Sequence, residues 1–299
     1  MDARPIDLHV HSSYSSDGEV PPARLVEMAA ELGLAAVALA DHDTVDGLDE
    51  FTEAGVSSGV ETVPGVELTA DRDGDYLHIL GYFVEPKAWP LKKLIDRLTE
   101  ARLEQAAGRV ARLRELGLVL DEERVAHYAR GLPPVGPVIA MAVLERLENR
   151  NHPLLTELYE GPKADAPYFH FDRDVLSEGK PAFVPVERPS PAEAADAIWG
   201  SGGVPVLAHP GEQFSLPEDR DDVIRVIAAG IVGLEVYCSY HDAADENAFG
   251  GLADELGLVK TAGSDYHGSP VKPHIKMGQI SYNPYSLLEN LKERLGRGR

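Results

Sequence analysis

Short apolar runs alternate with helical patterns from the start of the chain to about position 89. Residues 6–10 read as a strand, and Pro21-Pro22 opens a helix that closes near Gly33, proline being suited to a first helical turn. Residues 34–40 form a continuous apolar run of strand length, 46–58 a short helix, and 63–68 and 76–84 two further strands. Uninterrupted apolar strands alternating with helices predict a parallel sheet covered by helices.

The pattern changes near Pro90. Leu91, Leu94, Ile95, Leu98, Leu103, Val110, Leu113 and Leu116 recur at helical spacing up to Gly117, and Pro133-Pro134 and Pro137 break the shorter helices that follow. Residues 161–174 contain proline and aromatics without a clear period. From Pro181 the alternation returns, with helices over 191–199, 219–229 and 242–256 and strands over 204–208, 231–237 and 258–262. The expected organisation is an α/β barrel of about seven strand–helix units. Its first part is 1–95 and its second 181–299, with a helical insert at 96–180 acting as a lid that selects the substrate.

The histidines fall where strands end. His9 and His11 close the first strand, His42 follows the second, Glu67 ends the third, and His78 lies in the fourth. His209 ends a later strand, and Asp265 and His267 follow the last. In a closed parallel barrel these ends share one face, where that architecture carries its chemistry. A His-x-His pair on a strand points both rings to one side, and a divalent cation uses both as neutral donors. Glu67 and Asp265 add oxygens, and a glutamate can bridge two metals. Donors that are all nitrogen or oxygen suit manganese, iron or zinc, and the spacing does not choose among them. His127 and His152 read as caps or solvated groups, Asp17 in Ser15-Ser16-Asp17-Gly18 as a turn residue, and Asp43 as a cap or a partner that orients His42.

Charge narrows the partners. Fifty Asp+Glu against 28 Lys+Arg give a net −22, which disfavours long nucleic acid and anionic membranes, while bound metals would still admit a small anionic substrate. The single cysteine, Cys238, excludes an internal disulfide framework and suits a reducing compartment. The opening Met1-Asp2-Ala3-Arg4-Pro5 lacks a leader's apolar stretch and the longest apolar run is too short to span a bilayer, so a cytoplasmic protein is expected.

Five segments together resemble the PHP family, metal-dependent phosphoesterases named for polymerase and histidinol phosphatase. They are Asp7-Leu8-His9-Val10-His11-Ser12 with Ser16-Asp17-Gly18, Asp41-His42-Asp43-Thr44, Gly65-Val66-Glu67, Ala208-His209-Pro210 and Gly263-Ser264-Asp265-Tyr266-His267. The resemblance implies a distorted barrel with about two to three divalent ions, manganese first, with zinc or iron as alternatives. By position, one metal would take His9, His11, Glu67 and Asp265, a second Glu67, His78 and His209, and a third Asp17, His42 and His267. Glu67, His209 and Asp265 would be the catalytic residues. The function implied is hydrolysis of a small phosphorylated metabolite, foremost the 3′-phosphate of a nucleoside 3′,5′-bisphosphate, by water or hydroxide held at a trinuclear centre. Cleavage of a ribose cyclic phosphate, trimming of short RNA from its 5′ end, and a non-catalytic metal-binding module are the alternatives, in that order. Many relatives carry a Gly-Arg-Pro-His stretch at the start of an insert helix. Here Gly136-Pro137-Val138-Ile139 has no cationic side chain, which implies a less charged substrate or a clamp supplied elsewhere. Arg130, Lys180, His241 and Lys272 are the candidate substrate contacts, with Arg188 and His274 as further cations.

Overall fold

A computed structural model describes residues 4–299; Met1-Asp2-Ala3, part of the opening read above for a leader, lies outside the described residues. The barrel begins with β1 (Ile6–Val10), α1 (Pro22–Glu31), β2 (Ala36–Leu39), α2 (Leu48–Ser58), β3 (Glu61–Arg72) and β4 (Asp75–Tyr82). Five helices follow: α3 (Trp89–Glu115), α4 (Glu122–Ala129), α5 (Gly136–Leu144), α6 (Thr156–Glu160) and α7 (Pro167–Phe171). The barrel resumes with α8 (Pro191–Gly200), β5 (Val204–Leu207), α9 (Arg220–Ile227), β6 (Gly233–Cys238), α10 (Ala243–Leu256), β7 (Val259–Gly263) and α11 (Ser286–Arg297).

The seven strands form one sheet in chain order. Its ends nearly meet: the His11 amide donates to the Tyr266 carbonyl at 2.9 Å and the Asp265 amide to the His9 carbonyl at 2.8 Å, joining β1 to the exit of β7. One cluster draws on Leu8, Ala38, Val63, Leu80, Val206 and Ala262, with Tyr237 packed against it. These come from all seven strands, and only the inside of a closed sheet is common to them all. Leu287, Leu288 and Leu291 of α11 join the same cluster. The outer layer packs Val37 and Leu39 of β2 with Leu25 of α1 and Phe51 of α2, and continues through α8, α9 and α10.

The sheet departs from the all-parallel expectation at β4, which runs antiparallel to both β3 and β5. Arg72 pairs with Asp75, leaving a two-residue turn of Asp73 (φ 51) and Gly74 (φ 98). Two residues can join only antiparallel neighbours, and positive φ at both fits the twist of a tight hairpin. A single helix, α3, crosses the expected boundary at residue 95. Its Leu91, Leu94, Ile95 and Leu98 pack on the barrel's outer layer, whereas Ala106, Val110 and Leu113 enter a separate core with Ile139, Leu155 and Phe171. The segment without a period contains α7, which starts at a proline and buries only Phe171, too little for an amphipathic stripe. Among the described residues no helix is long and apolar enough to cross a membrane.

Candidate metal centre

Each donor reaches the barrel mouth on an element with a local reason for its place. His9 on β1 and His11 directly after it alternate with buried Leu8 and Val10, so both rings leave the chain on one side. His209 follows β5 at φ 23 and Asp265 follows β7 at φ 57, left-handed conformations unusual for residues with side chains. Such strain concentrates at functional sites. Gly263 is required by packing: a Cβ there would lie 2.2 Å from the His9 Cβ and 2.5 Å from Glu235 Oε1.

Glu67, fully buried, is the hub. Its Oε1 lies 2.9 Å from His78 Nδ1 and 3.1 Å from His209 Nε2, which are themselves 3.4 Å apart. Its Oε2 lies 2.9 Å from His42 Nδ1, 3.3 Å from His11 Nε2 and 3.5 Å from His9 Nε2. Asp265 Oδ1 sits 3.0 Å from His11 Nε2 and 3.5 Å from His9 Nε2, and one atom each of His9, His11, Glu67 and Asp265 falls within 4.8 Å of every other. Asp17 Oδ2, His42 Nε2 and His267 Nε2 lie 3.4–3.8 Å from one another. All nine expected ligands therefore meet in one cage. His78 arrives from β4, opposite Thr69 of β3, by way of the hairpin.

Three buried carboxylate oxygens, Asp17 Oδ1, Glu67 Oε2 and Asp265 Oδ1, make no hydrogen bond. Orphaned acceptors of this kind are costly unless a cation or water completes them. The tautomers of the histidine pair strengthen the point. His9 Nδ1 donates to Glu235 at 3.0 Å, leaving a lone pair on Nε2. Ser15 Oγ donates to Asp41 at 2.8 Å and so accepts from His11 Nδ1 at 3.2 Å, which leaves a lone pair on that Nε2 too. The two Nε2 atoms are 3.1 Å apart. Two lone pairs at that distance repel unless a cation sits between them, so the donor set fits divalent metal; with no thiolate, it suits manganese, iron or zinc.

Without metal, charge pulls the rings both ways: burial opposes the shift, but Glu235, Glu67 and Asp265 lift His9 well above the usual imidazole value, so metal must displace its proton. Burial alone would raise Glu67, but His78, His42 and His9 hold it well below the ordinary carboxylate range. Burial, with His11 and Lys272 close by, pushes His267 well below the usual imidazole value, toward the neutral form a metal needs. Burial opposes the shift of His209, yet Glu212 at 3.0 Å and Glu67 lift it to about 10.

The other candidates divide. Lys272 is half-buried beside the cage and ion-paired with Asp265 Oδ2, which also accepts from Tyr240 Oη at 2.6 Å. Together with Arg188 it lines a cleft that opens from the cage. Arg130 does not line this cleft: its guanidinium donates to the carbonyls of Ser13, Ser15 and Gly18 at 2.7–3.2 Å, strapping the loop after β1. His241 donates from Nδ1 to the Val236 carbonyl at 2.7 Å and accepts the Gly211 amide on Nε2 at 2.8 Å, so both nitrogens are spent bracing the loop after His209. Lys180 is exposed and away from the cleft, and His274 faces Asp165 at 3.6 Å. Asp43 does not bond to the His42 ring; its carboxylate accepts from the Thr69 amide and hydroxyl, both at 2.8 Å, and pairs with Arg102.

Sequence reasoning missed Glu235, Arg102, Arg109 and Asp172. Glu235 could have been noticed as the lone acid inside an apolar strand. Arg102 and Arg109 share one face of α3 with Leu98 and Gln105, at helical spacing, and all four line the cleft.

A barrel whose rim holds six imidazoles and three carboxylates against an open cleft belongs to the metal-dependent hydrolases. Residues 7–141 match the family model of the PHP domain. The chain is 32% identical over 272 residues to phosphoribosyl 1,2-cyclic phosphate 1,2-diphosphodiesterase of Eggerthella lenta, covering 90% of this chain and 97% of that protein. It is also 32% identical over 268 residues to 3′,5′-nucleoside bisphosphate phosphatase of Chromobacterium violaceum, covering 88% and 87%. A solved protein of Bifidobacterium adolescentis, inferred to be a metal-dependent phosphoesterase, superposes with a TM-score of 0.80 at 28% identity over 99% of this chain and 97% of that one. The chain belongs to the PHP family and is a metal-dependent phosphoesterase.

Proposed function

We propose that the protein removes the 3′-phosphate of a nucleoside 3′,5′-bisphosphate, using manganese held by His9, His11, Glu67 and Asp265, by Glu67, His78 and His209, and by Asp17, His42 and His267. The observation that carries this reading is the cleft itself. His42, His78, His209 and Asp265 form its floor, and Arg102, Gln105, Gly136 and Asp172 of the helical segment bound it, so the space suits a small phosphorylated molecule. The bisphosphate phosphatase of C. violaceum, similar over most of both chains, supports the substrate class. The net charge of −22 opposes long nucleic acid as a substrate.

Bound metals would supply Lewis acidity and a water of lowered pKa at the phosphoryl group. The chain's own residues do the positioning. Glu235 and Ser15 fix the tautomers of His9 and His11, so that both Nε2 lone pairs face the cage. Tyr240 and Lys272 occupy Asp265 Oδ2 and leave Oδ1 turned toward the histidine pair. Lys272, half-buried at the cleft wall, places a positive charge where phosphoryl oxygens would lie. Residues 96–180 act as the roof that keeps bulk water out and selects the substrate.

The test is a phosphate-release panel on manganese-loaded protein with adenosine 3′,5′-bisphosphate, adenosine 3′-monophosphate, adenosine 5′-monophosphate, a ribose 1,2-cyclic phosphate and a short RNA. The bisphosphate should lead in kcat/KM by at least about tenfold. Faster turnover of the cyclic phosphate, as the E. lenta protein's name suggests for that relative, would replace this reading with diester cleavage.

A further inference from the structure

The wall of the cleft that faces the cage carries a second concentration of charge that metal binding does not use. Arg102 and Arg109 project from one face of α3, and Arg188 comes from the segment leading into α8. Arg109 is only 8% exposed, and its Nε is buried without a hydrogen-bond partner. Among the described residues, no carboxylate lies within 4.0 Å of its guanidinium. Burial pushes Arg109 below the ordinary arginine range; Asp172 opposes the shift, and Arg102 and Arg188 add to it. A buried guanidinium is kept charged at a cost, and structures normally supply it with a carboxylate or a bound anion. Arg102 is paired with Asp43, and Arg188 lies with its guanidinium carbon 5.5 Å from the Tyr76 ring centroid; both are cations and add to the positive charge around Arg109.

Asp172 completes the wall. Its Oδ1 occupies the place of a side chain at Gly136, 1.6 Å from where a Cβ would stand, so the carboxylate is seated on the first turn of α5. That packing accounts for glycine at this position, and the absence of a cation from Gly136 to Ile139 is matched by three on the facing wall.

We infer that Arg109, flanked by Arg102 and Arg188, is an anion subsite that grips the second phosphate of a substrate carrying two, while Asp172 accepts a hydrogen bond from a hydroxyl or N–H group between them. This deepens the proposed function and rests on it for the identity of the scissile phosphate, but the subsite can be tested without turnover. A guanidinium offers forked N–H donors that match phosphate oxygens, and a charge-assisted contact of this kind contributes about 10- to 100-fold in affinity.

The experiment uses the metal-loaded full chain and the variants Arg109→Gln, Arg109→Lys and Arg188→Gln. The ratio of kcat/KM for adenosine 3′,5′-bisphosphate to that for adenosine 3′-monophosphate should fall about 10- to 100-fold in both glutamine variants, with Arg109→Lys in between. The Kd of adenosine 5′-monophosphate, read by calorimetry, should weaken by a similar factor. Should Arg109→Gln fail to fold, Arg188→Gln, at a half-buried position, and Arg109→Lys still decide. An unchanged ratio together with an unchanged Kd overturns the subsite. If the wild type hydrolyses neither nucleotide, the functional reading fails, yet the calorimetric Kd still stands or falls with these arginines.

Discussion

Glu235→Gln isolates the tautomer control on which the cage depends. Glu235 is fully buried on β6, and both its oxygens are acceptors: His9 Nδ1 lies 3.0 and 3.3 Å from them, and the His209 amide donates to Oε2 at 2.9 Å. Glutamine keeps the shape but turns one oxygen into a donor. Whichever way the amide is turned, either His9 Nδ1–H or the His209 amide then faces an NH2 group. The cheapest relief is for His9 to move its proton to Nε2, which faces His11 Nε2 at 3.1 Å and ceases to be a ligand. Loss of a partner that orients a ligating histidine costs about 10- to 100-fold in metal affinity, or about 1.4–2.8 kcal/mol at 1.4 kcal/mol per decade. Stability without metal should fall by only about 1–3 kcal/mol, the cost of one mismatched buried hydrogen bond. The assay titrates metal-stripped protein with manganese, following heat and phosphoesterase activity together, beside urea unfolding of the stripped form. Because Glu235 touches no substrate, most activity should return at saturating metal. Unchanged metal affinity with reduced stability would refute the reasoning and leave Glu235 a purely structural residue.

Three further outcomes follow from the geometry. Gly263→Ala drives a methyl group into His9 and Glu235, so it should lower stability by about 1–3 kcal/mol in urea unfolding and weaken manganese binding as well; wild-type behaviour in both would contradict the packing. His209, lifted to about 10, contributes stability to the metal-stripped protein below about pH 6.5 that is lost as pH rises through about 10. Metal needs neutral rings, so loading at pH 8 should release at least about one proton, read from calorimetry in two buffers of different ionisation heat; His209→Asn should release fewer, and an equal release would remove His209 from the ligands. Arg124→Ala breaks a 2.6 Å pair with Glu145 on the insert's surface, where Arg124 and Tyr128 hold Glu145 near a pKa of about 2. That stabilisation is present above about pH 4.5 and lost as pH falls through about 2; because the pair is solvent-screened, thermal unfolding at pH 7 should report a loss of less than about 1 kcal/mol.

The histidines were legible because strand ends can be read from apolar runs, and a barrel converts strand ends into neighbours. His9 and His11 needed only their period-two spacing. The direction of β4 was not read, although Asp73-Gly74 between two strands is a strong hairpin signal. Likewise α11 went unnoticed despite Leu287, Leu288, Leu291 and Leu295 falling at helical spacing, because the long segment after β7 carries no period of its own. His241 and Arg130 show a deeper limit. Both stand near the mouth in sequence terms, but only three-dimensional placement reveals that the nitrogens of His241 are spent on backbone groups and that Arg130 is strapped to three carbonyls. Arg109 shows the converse: it resembles any solvated helix arginine until the cleft is seen to close over it.

The central claim is that Glu67 joins separate histidine groups into one metal cage. The most direct measurement is manganese anomalous scattering from crystals of the loaded protein, with metal content determined in solution for wild type and Glu67→Ala. Wild type should show about two to three manganese ions per chain, at least two of them beside the Glu67 carboxylate, and Glu67→Ala should retain fewer. Absence of anomalous density at the barrel mouth, or an equal metal content in the variant, would contradict the account.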